Sequence, residues 1–338
     1  MLMTTQPMGR GVLARVRRQL RYRRALRSLV VPATPDPSYF SRFGGLWTDR
    51  RDAAHEIDRR AEAGAIDVAD AELLRHWIDH GYVILPGAVP PDACDRLRAD
   101  LDRAFAGGDE RLLMTSPAVE GMEPLRAGVD PERARVVDAY VHYESARAAL
   151  FSDPIVRFLR TVFEDDPLLF QSLTFERGSQ QPMHQDTAFV VTSSPMEFAA
   201  SWIALEDIYP GSGELTYLDG SHRLPEYLFS GKYKHWNAKR DGDDQHSEWH
   251  ELIHRNAERM GLERRTFLPR KGDVLIWSAD LAHGGSPVTD RSLTRKSLVG
   301  HYCPNRVEPF YFRTDPERRA KRSFDGCSYA SQYYALEP

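Results

Sequence analysis

Pro182-Met183-His184-Gln185-Asp186 is the stretch on which the reading of this chain turns. Alternate side chains of a strand point to one face. A His-x-Asp pair in a strand therefore aims an imidazole and a carboxylate at one point. His283, far downstream, supplies a third donor. Two histidines and one carboxylate close one face of an octahedron and leave the other face open. That set suits non-heme Fe(II), whose open positions take O₂ and a co-substrate. Alone the pair is a weak motif, because a polar strand edge gives the same letters.

The surroundings of His283 strengthen the signal. Lys271-Gly272-Asp273 is turn chemistry, and Val274-Leu275-Ile276-Trp277 is a short β-branched and aromatic run. Gly284 and Gly285 after the histidine would let the backbone approach a ligand closely. Arg295-Lys296-Ser297-Leu298-Val299-Gly300-His301-Tyr302 has strand composition, with Arg295 and Ser297 on one face. A guanidinium fork beside a hydroxyl is a good receptor for a carboxylate.

Several segments in order resemble the phytanoyl-CoA dioxygenase family of Fe(II)- and 2-oxoglutarate-dependent oxygenases. They are Gly81-Tyr82-Val83-Ile84-Leu85-Pro86-Gly87 with Pro90-Pro91-Asp92-Ala93-Cys94, then His184-Gln185-Asp186. Next come Trp202-Ile203-Ala204-Leu205-Glu206-Asp207, Gly211-Ser212-Gly213-Glu214-Leu215 and Gly220-Ser221-His222. The middle group resembles the family's central hairpin, with Asp219 where the family usually has proline. The resemblance covers about residues 72–303. It implies Fe(II) on His184, Asp186 and His283, with 2-oxoglutarate on Arg295 and Ser297 and O₂ as the second co-substrate. It also places Gln171 and Trp202 in the co-substrate pocket. The implied fold is mainly β with flanking helices, around a double-stranded β-helix (jelly-roll, cupin-like) core. The implied reaction is hydroxylation of a small-molecule or lipid-like substrate with release of succinate and CO₂. Halogenating relatives lack the carboxylate that Asp186 supplies. A non-redox cupin-type metal enzyme and a binding protein that has lost turnover remain the rivals.

At 338 residues, 41% hydrophobic and 28% charged, the chain has the composition of a globular protein. Its net charge of -4 argues against nucleic acid as the default partner. Cys94, Cys303 and Cys327 are too few and too scattered for a disulfide framework, which fits a reducing, cytoplasmic setting. No apolar run nears the roughly 20 residues that span a bilayer. Residues 1–31 hold eight arginines and no acid, with Leu13, Val16 and Leu20 at helical spacing. This is either an amphipathic arm for an anionic membrane or partner, or a partly ordered basic tail.

The expected organisation is a basic arm over 1–35 and one oxygenase domain over 36–338, with the jelly-roll core at about 168–303. Helices are expected over 67–80 and 92–105, the latter with a Pro-Pro start and an Asp92 cap, and over 145–163 with a break at Pro154. Leu112 to Asp130 is expected to be a loop at the pocket mouth. The polar, helix-prone stretch from Leu224 to Arg265 is expected to form a lid. It carries His246, His250 and His254 at i, i+4, i+8, a spacing that can chelate zinc or simply face a substrate.

Overall fold

The computed structural model describes residues 19–116, 119–131 and 134–336. Its strands are β1 (Tyr82–Leu85), β2 (Asp109–Ser116), β3 (Val119–Leu125), β4 (Arg135–Val137), β5 (Pro167–Phe175), β6 (Ala199–Ala204) and β7 (Leu215–Leu218). They continue with β8 (Arg264–Phe267), β9 (Val274–Ser278), β10 (His283–Gly285), β11 (Ser297–Pro304), β12 (Arg322–Phe324) and β13 (Cys327–Tyr329). The large sheet runs β1-β9-β6-β11-β5-β4-β2-β3, with β13 parallel to β5 and β12 on β13. The small sheet is β10-β7-β8.

The unbroken apolar run of β9 has a direct cause: both faces of the large sheet are covered, so neither can be polar. Val274 and Ile276 pack on the helical side with Leu74, Leu97 and Leu159. Leu275 and Trp277 point the other way, onto Trp202 of β6 and Tyr217 and Phe267 of the small sheet. The helices that cover the first face are Val68–His80, Pro91–Gly107 and Asp153–Phe163. Asp67 caps the first of these by accepting from the Asp70 amide at 2.8 Å, and Gly81, with φ 81, ends it. The second starts on its proline pair, but Asp92 lies inside the first turn and caps nothing. The break at Pro154 is found between helices Glu144–Leu150 and Asp153–Phe163.

The strand-rich span expected at 168–303 coincides with β5 to β11, but β1 to β4 extend the same sheet. Two expectations fail here. Leu112 to Asp130 is not a loop: β2 and β3 pair antiparallel through most of it. The segments around Trp202 and Leu215 do not form a hairpin either, since β6 joins the large sheet and β7 the small one. The chain crosses between the sheets through the connection that carries Pro210-Gly211-Ser212-Gly213, and each strand takes other partners: β6 pairs with β11 and β9, and β7 with β10 and β8.

The segment 224–265 lies between β7 and β8, which pair with each other. It contains helix Ala238–Met260, kinked at Gly242, where φ is 69. Of the basic arm, residues 19–27 are helical. Leu29 is buried, Val30 bridges to Tyr233, and the Tyr22 ring meets Phe310 edge-on at 5.8 Å. Leu13 and Val16 lie outside the described residues. Among the described residues no helix is long and apolar enough to cross a membrane. All three cysteines are free and buried.

Candidate metal centre and its cavity

His184 and His283 face each other across an antiparallel bridge. The His184 amide donates to the His283 carbonyl at 2.8 Å, and the reverse bond is 2.9 Å. This bridge adds one residue to the small sheet beside β10. The expected strand does not continue to Asp186. Gln185 is still extended, with φ -108 and ψ 134, and Asp186–Ala188 is a single 3-10 turn. The extended Gln185 is enough to return the Asp186 side chain to the side of His184. Gly284 is required by the bridge, not by a ligand: a Cβ there would stand 2.8 Å from the Gln181 carbonyl oxygen and 3.0 Å from the Met183 nitrogen.

The three side chains converge. Asp186 Oδ1 is 3.7 Å from His184 Nε2 and 3.6 Å from His283 Nε2. One donor atom from each residue lies within 4.8 Å of the others. Nδ1 of His184 is 2.8 Å from the Pro182 carbonyl, and Nδ1 of His283 is 2.9 Å from the Leu281 carbonyl. A carbonyl only accepts, so both Nδ1 atoms carry the proton and both Nε2 lone pairs face the centre, that of His184 accepting from the Gln181 amide at 3.1 Å, a bond that a metal would displace. The other carboxylate oxygen of Asp186 accepts from Trp277 Nε1 at 2.9 Å, and His301 Nε2 stands 3.4 Å from it.

Electrostatics set the same protonation states. Burial, then the neighbouring His283, pushes His184 down to about 3, so it is neutral at working pH. Burial alone would raise Asp186, but His283, His301 and His184 outweigh it and hold the carboxyl well below its usual range. A neutral imidazole at His184 and an ionised carboxylate at Asp186 are the forms in which these groups bind a metal.

The triad opens on a cavity of about 230 Å³ that also takes in Arg295, Gln171 and Trp202. Arg295 is buried and donates through Nη1 to the Gly213 carbonyl at 3.1 Å, while its Nε has no partner. The Trp202 indole N–H is likewise buried without a partner. Burial pushes the Arg295 guanidinium down to about 10, helped by Arg135. Arg135 lines the same cavity and, like Arg295, forms no ion pair among the described residues. Both guanidiniums flank the Phe175 ring, at 5.3 and 5.5 Å. Buried unpaired cations and donors are costly, and together they describe a receptor for an anion. Ser297 shares the face of Arg295 and is fully buried with a free hydroxyl, but it stands off the cavity wall.

Sequence reasoning missed Arg135, Gln181, Phe189 and His301, all on the cavity wall. His301 was legible, being in phase with Arg295 along β11. Arg135 was not, because its three-residue strand carries no turn signal that would place it. The His246 and His250 rings meet edge-on at 4.6 Å, but the described residues form no potential metal cluster other than His184, Asp186 and His283.

A family model of phytanoyl-CoA dioxygenase matches residues 77–297, well over half of the chain. The chain belongs to the phytanoyl-CoA dioxygenase family. This member also resembles solved structures. The non-heme alpha-ketoglutarate-dependent epimerase SnoN from nogalamycin biosynthesis is 18% identical, with TM-score 0.53, over 78% of this chain and 98% of that one. EctD from S. alaskensis, with 2-oxoglutarate and 5-hydroxyectoine, is 19% identical, with TM-score 0.51, over 78% and 88%. At these identities the likeness is one of fold. No curated protein matches this family member.

Proposed function

We propose that this family member is an Fe(II)- and 2-oxoglutarate-dependent dioxygenase with a double-stranded β-helix core. It hydroxylates a C–H bond of a small-molecule or lipid-like substrate and releases succinate and CO₂. One observation carries the reading: a buried His-Asp-His triad shares its cavity with two guanidiniums that form no ion pair among the described residues. Fe(II) bound there supplies the open positions at which 2-oxoglutarate and O₂ react. His184 and His283 present their Nε2 atoms because the Pro182 and Leu281 carbonyls fix both rings. Trp277 holds the second oxygen of Asp186, which keeps the first turned to the metal. Arg295 and the Trp202 N–H bind the distal carboxylate of 2-oxoglutarate, and Arg135 adds charge from across Phe175.

The substrate side is different in character. Gln171, Phe189 and Val190 also line an adjoining cavity of about 190 Å³ with Phe310, Tyr311, Thr314 and Gln332. None of its lining residues is charged, so it suits an uncharged part of the substrate. The intact Asp186 favours hydroxylation over halogenation.

The test has two parts. Anaerobic titration should show one Fe(II) per chain, lost in His184→Ala and in His283→Ala. Fe(II), O₂ and 2-oxoglutarate together should yield succinate. Iron retained by both variants defeats the metal assignment. Iron binding without any succinate would leave the non-redox or the binding reading.

A further inference from the structure

We propose that the segment from Leu224 to Arg265 is a clamp on the metal-ligand loop, with Lys234 and Trp249 as its positioning residues. The inference rests on the metal reading above and concerns what holds the ligands in place. No residue of this segment lines the triad's cavity. The segment packs behind the loop instead.

Lys234 is buried and forms an ion pair with Asp280, with Glu226 at 3.9 Å. Asp280 holds both ligand-bearing segments. Its Oδ1 accepts from Thr187 Oγ1 at 2.5 Å, directly after Asp186. Its backbone carbonyl accepts from Gln185 Nε2 at 2.8 Å, directly before Asp186. Along the chain it precedes His283 by one short turn. The other end of the Gln185 amide accepts from Trp249 Nε1 at 3.4 Å. The Trp236 amide donates to the Ala188 carbonyl at 3.0 Å. Trp249 itself is buried among Met183, Ala188 and Ala282, the residues that flank the ligands.

The physical logic is one of charge. Asp280 is buried, and a buried carboxylate without its cation is strongly unfavourable. Lys234 pairs with the Asp280 carboxylate and directs it, Asp280 holds Thr187 and Gln185, and these fix Asp186 relative to His283. Residues that orient metal ligands typically change metal affinity by 10–100-fold when removed.

Full-length protein under anaerobic conditions, titrated with Fe(II) and separately with Co(II) as a spectroscopic probe, tests this. Lys234→Met should weaken Fe(II) binding by about 10–100-fold and shift the Co(II) ligand-field bands. Trp249→Phe, which removes the N–H donor and keeps an aromatic side chain, should do the same to a smaller degree. Lys234→Met combined with Asp280→Asn leaves no charge at 280, while Glu226 keeps its ion pair with Arg42 at 2.9 Å, and should recover part of the affinity, which a general loss of packing would not. A folded Lys234→Met protein with wild-type Fe(II) affinity and an unchanged Co(II) spectrum overturns the proposal. If Lys234→Met does not fold, wild-type affinity in both Trp249→Phe and the double variant overturns it. Failure of the unaltered protein to bind Fe(II) would instead sink the metal reading.

Discussion

At the scale of single residues, the decisive feature is the contrast between paired and unpaired cations. Lys234 and Lys296 are buried or half-buried beside carboxylates. Arg295 and Arg135 line the cavity with none among the described residues. Folding leaves a guanidinium unpaired only where a ligand completes it or where water reaches it, and Arg295 is 2% exposed. Replacing Arg295 with Ala removes a charge-assisted contact worth about 1.5–3 kcal/mol. The expected result in steady-state kinetics is a roughly ten- to hundredfold higher apparent constant for 2-oxoglutarate, with Fe(II) affinity kept. An unchanged constant would move the anion to Arg135. Sequence exposed Arg295 by its phase with Ser297. It could not show that Ser297 stops short of the cavity wall, because that depends on where β11 leaves the pocket.

At the scale of elements, the centre depends on one isolated bridge that brings a turn and a short strand into register. Gly284 lies next to that bridge with no room for a side chain. Gly284→Ala should push Gln181 to Met183 away from β10, since the contacting atoms are backbone and cannot rotate aside. The expected outcome is a loss of stability of about 1–3 kcal/mol in thermal unfolding, the usual size for overpacking. Fe(II) retention should fall with it, because His184 moves relative to His283. A variant that melts and binds iron like the parent would show that the bridge is not needed. The His-x-Asp pair was read correctly as a converging pair and wrongly as a strand. One extended residue, Gln185, gives the convergence that a whole strand was expected to give.

At the scale of the whole molecule, burial sets how stability responds to acid. Burial pushes His184 and His222 down to about 3 and His235 to about 4. Below an unfolded pKa of about 6.5, the unfolded chain takes up protons on these residues that the fold refuses. Their contribution is therefore lost as pH falls from about 6.5 towards 4. Asp49 and Asp138 act in the opposite sense, raised by burial to about 6 and 7. Their contribution is present at low pH and fades as pH rises through those values. The three histidines outnumber the two acids, so the metal-free protein should melt at lower temperature at pH 5 than at pH 7. His222→Asn should flatten that dependence by up to about 1.4 kcal/mol per pH unit. An unaltered slope in this variant would mean that His222 already titrates in the fold.

Sequence alone brought out the convergence of His184, Asp186 and His283, the placing of Arg295 beside them, the helix starts at Asp67 and Pro91 and the strand-rich span. Each is written in local chemistry: periodicity, capping, and donor types at short spacing. Tertiary structure alone decided the rest. Leu112 to Asp130 became β2 and β3 because an open sheet edge at β4 offered backbone partners that composition does not reveal. Arg135 reached the cavity because β4 pairs with β5. The polar segment 224–265 came to lie behind the ligand loop because Trp249, Ile253 and Ala257 found a buried apolar face there. Local sequence sets what a segment can form, and long-range pairing sets which of its faces meets the site.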